Sequence, residues 1–97
     1  MYTLKPLPSF TDWLNTHPDV VVRSIVIARI KRLELGLWGD VRSLGEGVSE
    51  LRIHIGSGWR VYFTLRNKSV VVLLVGGCKK TQTRDIHRAK VLASLLD

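Results

Sequence analysis

Residues 50–63 read ELRIHIGSGWRVYF, and their alternation decides the fold. Leu51, Ile53, Ile55, Val61 and Phe63 share one parity, while Arg52, His54, Arg60 and Tyr62 share the other, which is the two-residue period of a half-buried strand. Gly56-Ser57-Gly58 breaks the alternation at a turn, so the stretch is two strands of an antiparallel hairpin. Its polar parity sets two arginines, a histidine and a tyrosine side by side, a chemically selective group for one face.

Outward from the hairpin the same period continues. Val41 to Leu44 is a brief strand, Gly45-Glu46-Gly47 a turn, and Ser49 to Ile55 the first hairpin strand. Trp59 to Arg66 is the second, and Asn67-Lys68 makes a tight turn into a strand from Ser69 to Gly76. The run VVVLLV in that last strand is apolar at both parities, so it is expected to be covered on both faces and to lie inside the sheet.

Upstream the period is helical. SFTDWLNTHP offers Ser9 as N-cap with Asp12 three residues on, places Phe10, Trp13 and Leu14 at helical spacing, and stops at Pro18. Pro18 and Asp19 suit the start of a second helix. Its apolar stripe is Val22, Val26, Ile30, Leu33 and Leu37, widened by Ile25 and Ile27 and ended by Gly36 and Gly39. Tyr2 to Leu7, broken by Pro6 and Pro8, reads as an edge strand. A closing helix from Thr81 to Leu95 turns Ile86, Ala89, Leu92, Ala93 and Leu96 inward. The expectation is one α+β domain over residues 1–97, ordered β-α-α-β-β-β-α, with two N-terminal helices packed on one face of an antiparallel sheet and a C-terminal helix. Glu50, Arg52, His54, Arg60, Tyr62 and Arg66 then share the opposite face, open unless the last helix crosses it.

Charge separates the two halves. The net charge is +7, with five Lys/Arg against four Asp/Glu in residues 1–40 and ten against four in residues 41–97. A basic excess confined to the strand-rich half points to a polyanion, RNA or DNA first, or to an acidic protein partner. Cys78 is the only cysteine, which excludes an internal disulfide and a cysteine-based metal site and fits a reducing compartment. No apolar run approaches the roughly 18 residues of a membrane span and no targeting pattern opens the chain, so a cytoplasmic location is expected. No metal-ligand spacing, phosphate loop or dinucleotide fingerprint is present, and no cofactor is expected.

Metal-free RNA cleavage needs an aligned 2′-OH, a base to take its proton, and cations to stabilise the phosphorane. Arg60 and Arg52 are the candidates for charge stabilisation and His54 for proton transfer. Tyr62 is a candidate stacking surface, and Arg66, Lys79, Lys80 and Arg84 are candidate phosphate contacts. Beside these stand plainer readings: an Arg52–Glu50 surface pair, Tyr62 as a packing aromatic, Trp59 as a plug at the hairpin end, and His17 and His87 as solvated helix residues.

Beyond single residues, LGEGVSELRIHIGSGWRVYF, VVVLLVGGCKKTQTRDIHRAKVLA, FTDWL and LWGDVRSLG resemble the phage-derived addiction-module killer branch of the RelE/ParE toxin superfamily, close to the HigB-type toxins. Trp59 stands where that branch has tyrosine, and Cys78 where it has a polar residue such as aspartate. The resemblance implies the toxin of a type II toxin-antitoxin system that cleaves mRNA on the ribosome without a metal and so inhibits translation. It matches Arg60 to the superfamily's strand arginine and Arg52 to a second basic position. It also implies a cognate antitoxin with a helix-turn-helix domain, through which alone operator DNA is bound. Gln82 and Asp85 are read as a network at the start of the last helix. Two other readings stay open: a ParE-like, non-enzymatic gyrase poison, and a basic RNA-binding module without catalysis.

Overall fold

The period-two stretches pair into one five-stranded sheet, and the helical stretches cover it from both sides. The computed structural model describes residues 1–96, so the last residue of the expected 1–97 domain, Asp97, lies outside the described residues. In chain order the elements are β1 (Thr3–Pro6), α1 (Pro8–Thr16), α2 (Val20–Glu34), β2 (Val41–Ser43), β3 (Val48–Ile53), β4 (Trp59–Arg66), β5 (Val70–Cys78), a single 3-10 turn (Lys79–Thr81) and α3 (Gln82–Ser94). The strand order is β1-β5-β4-β3-β2. The brief strand at Val41 is a full sheet member, so four strands lie between α2 and α3 where the expected order has three. β2, β3, β4 and β5 pair antiparallel, while β1 joins the edge of β5 in parallel from Thr3↔Val70 to Pro6↔Leu73.

Helix starts differ in detail from expectation. α1 opens on Pro8 at its first turn with Leu7 as the cap, and the Ser9 hydroxyl instead donates to the Leu74 carbonyl at 2.5 Å, tying the helix to the sheet. α2 is capped by Asp19, whose Oδ1 accepts from the backbone N–H of Val21 and Val22 at 2.9 and 3.2 Å, which leaves Pro18 outside the helix. Gly36 takes a left-handed φ of +81° just after α2, so Leu37 falls beyond the expected stripe and is exposed.

On one face, Phe10 of α1 and Val22, Val26, Ile30 and Leu33 of α2 pack on Leu51, Ile53, Val61, Phe63, Val71 and Leu73. On the other, α3 lies across the sheet and packs Ala89 and Ala93 on Val48, Tyr62, Val72, Leu74 and Val75. β5 is thus covered on both sides, as its unbroken apolar run requires. Its register slips opposite β4, from Tyr62↔Val75 to Phe63↔Leu73, so Leu74 is an extra residue. The bulge inverts the parity of Val75 to Cys78 relative to the start of the strand. Gly76 faces the Trp13 ring and Gly77 faces the Asp85 carboxylate, each so closely that a Cβ would overlap it.

Candidate nucleic-acid interface

One end of the sheet gathers the start of β2, the end of β3, the start of β4, the end of β5, the last turn of α1 and the first turn of α3. Arg52, His54, Arg60, Lys79, Lys80 and Arg84 all sit at this end. Arg66 does not. It is six residues along β4 from Arg60, roughly 20 Å away at strand rise, and its Nη2 donates to the Ala93 carbonyl at the last turn of α3 at 2.9 Å. There it satisfies a helix-end carbonyl and is corrected from phosphate contact to helix cap.

Asp40 organises the outer part of this end. Arg52 donates from Nη2 to Asp40 Oδ1 at 3.0 Å, and His54 Nε2 meets Asp40 Oδ2 at 2.5 Å. Arg52 therefore pairs with Asp40, not with Glu50. The reason is register: Val41 opposes Leu51, so the residue before Val41 lies beside Arg52. Those two bonds, His54 first and Arg52 second, hold the Asp40 carboxyl below the usual range. A carboxylate only accepts, so Nε2 carries the hydrogen and Nδ1 of neutral His54 presents its lone pair outward. The His54 side chain is 69% exposed. His54 is thus an oriented, accessible imidazole beside the Asp40 carboxylate and the Arg52 guanidinium.

The inner part is buried, because the last helix does cross that face. Glu50 and Tyr62 are fully buried and Arg60 is 8% exposed. Alternation marks which residues share a face; it does not distinguish water from a second helical layer, and here α3 is that layer. Glu50 Oε2 accepts from Gln82 Nε2 at 3.0 Å and lies 3.6 Å from Arg60 Nε, while Arg60 Nη1 donates to the Gly58 carbonyl at 2.9 Å. Arg60 is therefore a fixed charge in the floor of the site. Tyr62 opposes Glu50 across the ladder, and its hydroxyl has no hydrogen-bond partner among the described residues. Burial, reinforced by the Glu50 charge, pushes its phenol well above the usual range. Its ring is closed to a base, so the stacking role fails.

The start of α3 completes the floor. Asp85, also buried, accepts from the Thr81 hydroxyl at 2.5 Å and from Arg84 Nε and Nη2 at 3.3 and 3.2 Å. Gln82 and Asp85 thus form the helix-start network, reaching back to β3 through Glu50 and to β5 through Gly77. The tail pattern in GGCKKTQTRD has a packing cause: Gly76 admits Trp13, Gly77 admits Asp85, and Gln82 holds Glu50.

Beside this floor lies a groove of about 320 Å³ lined by Trp13, Thr16, His17, Pro18, Trp59, Gly76, Gly77, Cys78, Thr81 and Arg84. His17 meets Trp59 edge-on at 4.6 Å between ring centroids and Trp13 at 5.7 Å. Trp59 and His17, read as a plug and a solvated residue, are partly buried members of this aromatic wall. Burial raises the Cys78 thiol, but the Thr81 hydroxyl and the backbone N–H groups of Lys80 and Thr81 outweigh it and leave the thiol below its ordinary range. Sequence reading missed Asp40 and the groove. Asp40 had a signal in the β2–β3 register, whereas the groove joins residues from opposite ends of the chain.

Among the described residues no group of three His, Cys, Asp or Glu is arranged to hold a metal, and no helix is long and apolar enough to cross a membrane. A family model described as "Phage derived protein Gp49-like (DUF891)" matches residues 12–93. A Haemophilus influenzae protein described only as uncharacterized is 43% identical over 93 residues, spanning 96% of this chain and 94% of that one. The family match runs from within α1 to the last turn of α3 and so covers most of the fold. The chain belongs to the phage-derived Gp49-like protein family.

Proposed function

We propose that this protein is the toxin of a type II toxin-antitoxin system of the RelE/HigB kind and acts as a ribosome-dependent, metal-independent mRNA endonuclease. The observation that carries the reading is the His54–Asp40–Arg52 cluster on the basic end of the sheet, with Arg60 fixed beneath that end. His54 Nδ1 takes the proton of an mRNA 2′-OH, and the 2′-oxygen attacks the adjacent phosphorus. The 5′-oxygen departs, takes a proton from solvent and leaves a 2′,3′-cyclic phosphate. Arg52 and Arg60 stabilise the charge that develops on the phosphoryl oxygens, and Asp40 keeps His54 in the productive tautomer. Lys79, Lys80 and Arg84 hold flanking phosphates.

The same basic end suits neutralisation by an acidic segment of a cognate antitoxin, burying an interface of about 1,600 Å². That antitoxin carries a helix-turn-helix domain, operator DNA is bound only through it, and the pair works in the cytoplasm. The test is cleavage of mRNA programmed on purified 70S ribosomes, with naked RNA as control. Wild-type protein is expected to cut only on the ribosome, and His54→Ala to lose ~10²–10⁴-fold in rate, the usual worth of a general base. Arg60→Ala is expected to fall as well. If no cuts appear while expressing cells still stop growing, the nuclease reading is lost and a gyrase supercoiling assay replaces it.

A further inference from the structure

We propose that the groove between the end of α1 and the start of α3 is a nucleobase subsite, which takes one unpaired base of the RNA against Trp59 and its phosphate on Arg84. The inference rests on the RNA-cleaving reading and names where that substrate is gripped. Three observations converge on it.

The first is a free sheet edge. β1 pairs with β5 only as far as Leu73, so Gly76 to Cys78 have no strand on that side. Lys79 N–H donates to the Gly58 carbonyl at 2.9 Å, which makes Gly77↔Arg60 a bonded pair of the ladder and Gly76↔Val61 an unbonded one. The N–H and C=O of Gly76 therefore point off the edge into the groove, as those of Cys78 do, where the N–H meets Thr81 Oγ1. A buried residue presenting an adjacent donor and acceptor calls for a partner of the same kind, and base edges carry that pattern. The second is the aromatic wall: Trp13, His17 and Trp59 line the groove in ring-to-ring contact, and aromatic rings stack with a base of any identity. The third is charge. Arg84, with a side chain 74% exposed, stands at the mouth, and Lys79 and Lys80 continue the basic end from there. The volume is at the small end of the ~300–1,000 Å³ of ligand pockets, suited to a single base.

Trp38 stacks on Phe63 away from the groove, so Trp38→Phe in the full chain leaves Trp13 and Trp59 as reporters. This protein is titrated with a single-stranded RNA hexamer and, separately, with polyphosphate of equal charge. RNA is expected to quench the fluorescence saturably and polyphosphate not to. Trp59→Leu is expected to weaken RNA binding about tenfold and to raise KM more than it lowers kcat on the ribosome, while Arg84→Gln weakens both polyanions. Equal response to RNA and polyphosphate, or unchanged RNA affinity in Trp59→Leu with cleavage intact, overturns the subsite and leaves the nuclease standing. Saturable quenching by RNA with no ribosome-dependent cleavage keeps the subsite and removes the nuclease. Should Trp59→Leu not fold, wild-type protein is crosslinked to 4-thiouridine RNA. Crosslinks at Trp59 or residues 76–84 support the subsite, and crosslinks confined elsewhere overturn it.

Discussion

Beneath α1 and α2 the sheet meets mainly hydrocarbon and aromatic rings, whereas beneath the first turns of α3 it meets Glu50, Arg60, Gln82 and Asp85. Both faces come from the same strands and the same alternation. The first is held by area removed from water and tolerates any residues of similar shape. The second puts two carboxylates and a guanidinium out of water, a condition that desolvation makes costly and that stands only while each charge keeps its partners. A face built that way contributes little net stability for the chemistry it contains. What it provides here is a mounting: Arg60 lies between the Glu50 carboxylate and the Gly58 carbonyl, and Gln82 ties the start of α3 to β3 through Glu50.

The contrast is sharpest where a partner is removed. Glu50→Ala leaves the Arg60 charge buried and unpaired and is expected to cost roughly 4 kcal/mol in urea unfolding. Replacing both, as Glu50→Leu with Arg60→Met, should return stability to within ~1 kcal/mol of wild type, because an apolar pair of similar volume avoids the desolvation. A loss below ~1 kcal/mol for Glu50→Ala alone would break the comparison, since the second face would then behave as solvated. On the apolar face Leu33→Ala removes a fully buried side chain and is expected to cost about 3 kcal/mol, with no partner substitution able to rescue it.

Smaller effects separate the exposed rim from the buried floor by pH. Asp40 has a folded pKa below its unfolded one, so its contribution is full above about pH 4 and is lost as pH falls through the folded value. Asp40→Asn should flatten that acid limb of the stability profile while leaving the alkaline limb alone. Tyr62 is shifted the other way: its contribution is full below about pH 10 and is lost above it. Because its hydroxyl is buried without a partner, Tyr62→Phe should change stability at pH 7 by less than ~0.5 kcal/mol, remove the alkaline limb, and leave RNA cleavage intact. A large loss of cleavage in Tyr62→Phe would restore the phenol to the site.

Legibility in the sequence followed the range of the interaction. The hairpin at residues 50–63, the apolar stripe Val22-Val26-Ile30-Leu33, and the buried run of β5 were all readable, since period and burial are local consequences of backbone geometry. Of the proposed site, Arg52, His54, Lys79, Lys80 and Arg84 do lie at one accessible end of the sheet. Arg66 and Tyr62 were grouped with them by parity, and parity ignores distance along a strand and what lies above it. Asp40 escaped notice because its partners are 12 and 14 residues away across a turn, and Trp13 because its neighbour Trp59 is 46 residues away.

By itself the sequence determined the alternation, the helix faces, the positions of the turns and the basic bias of the second half, because each comes from short-range sterics and from composition. Tertiary structure decided which polar residues meet water. The extra residue at Leu74 set which of Gly76 and Gly77 receives Trp13 and which receives Asp85, and so fixed where α1 and α3 stand. With α3 across the sheet, Glu50, Arg60 and Tyr62 became a floor and Asp40, Arg52 and His54 a rim. The physical reason is that burial is a property of the layer above a strand, and a strand's own residues do not encode which helix, from how far along the chain, will lie there.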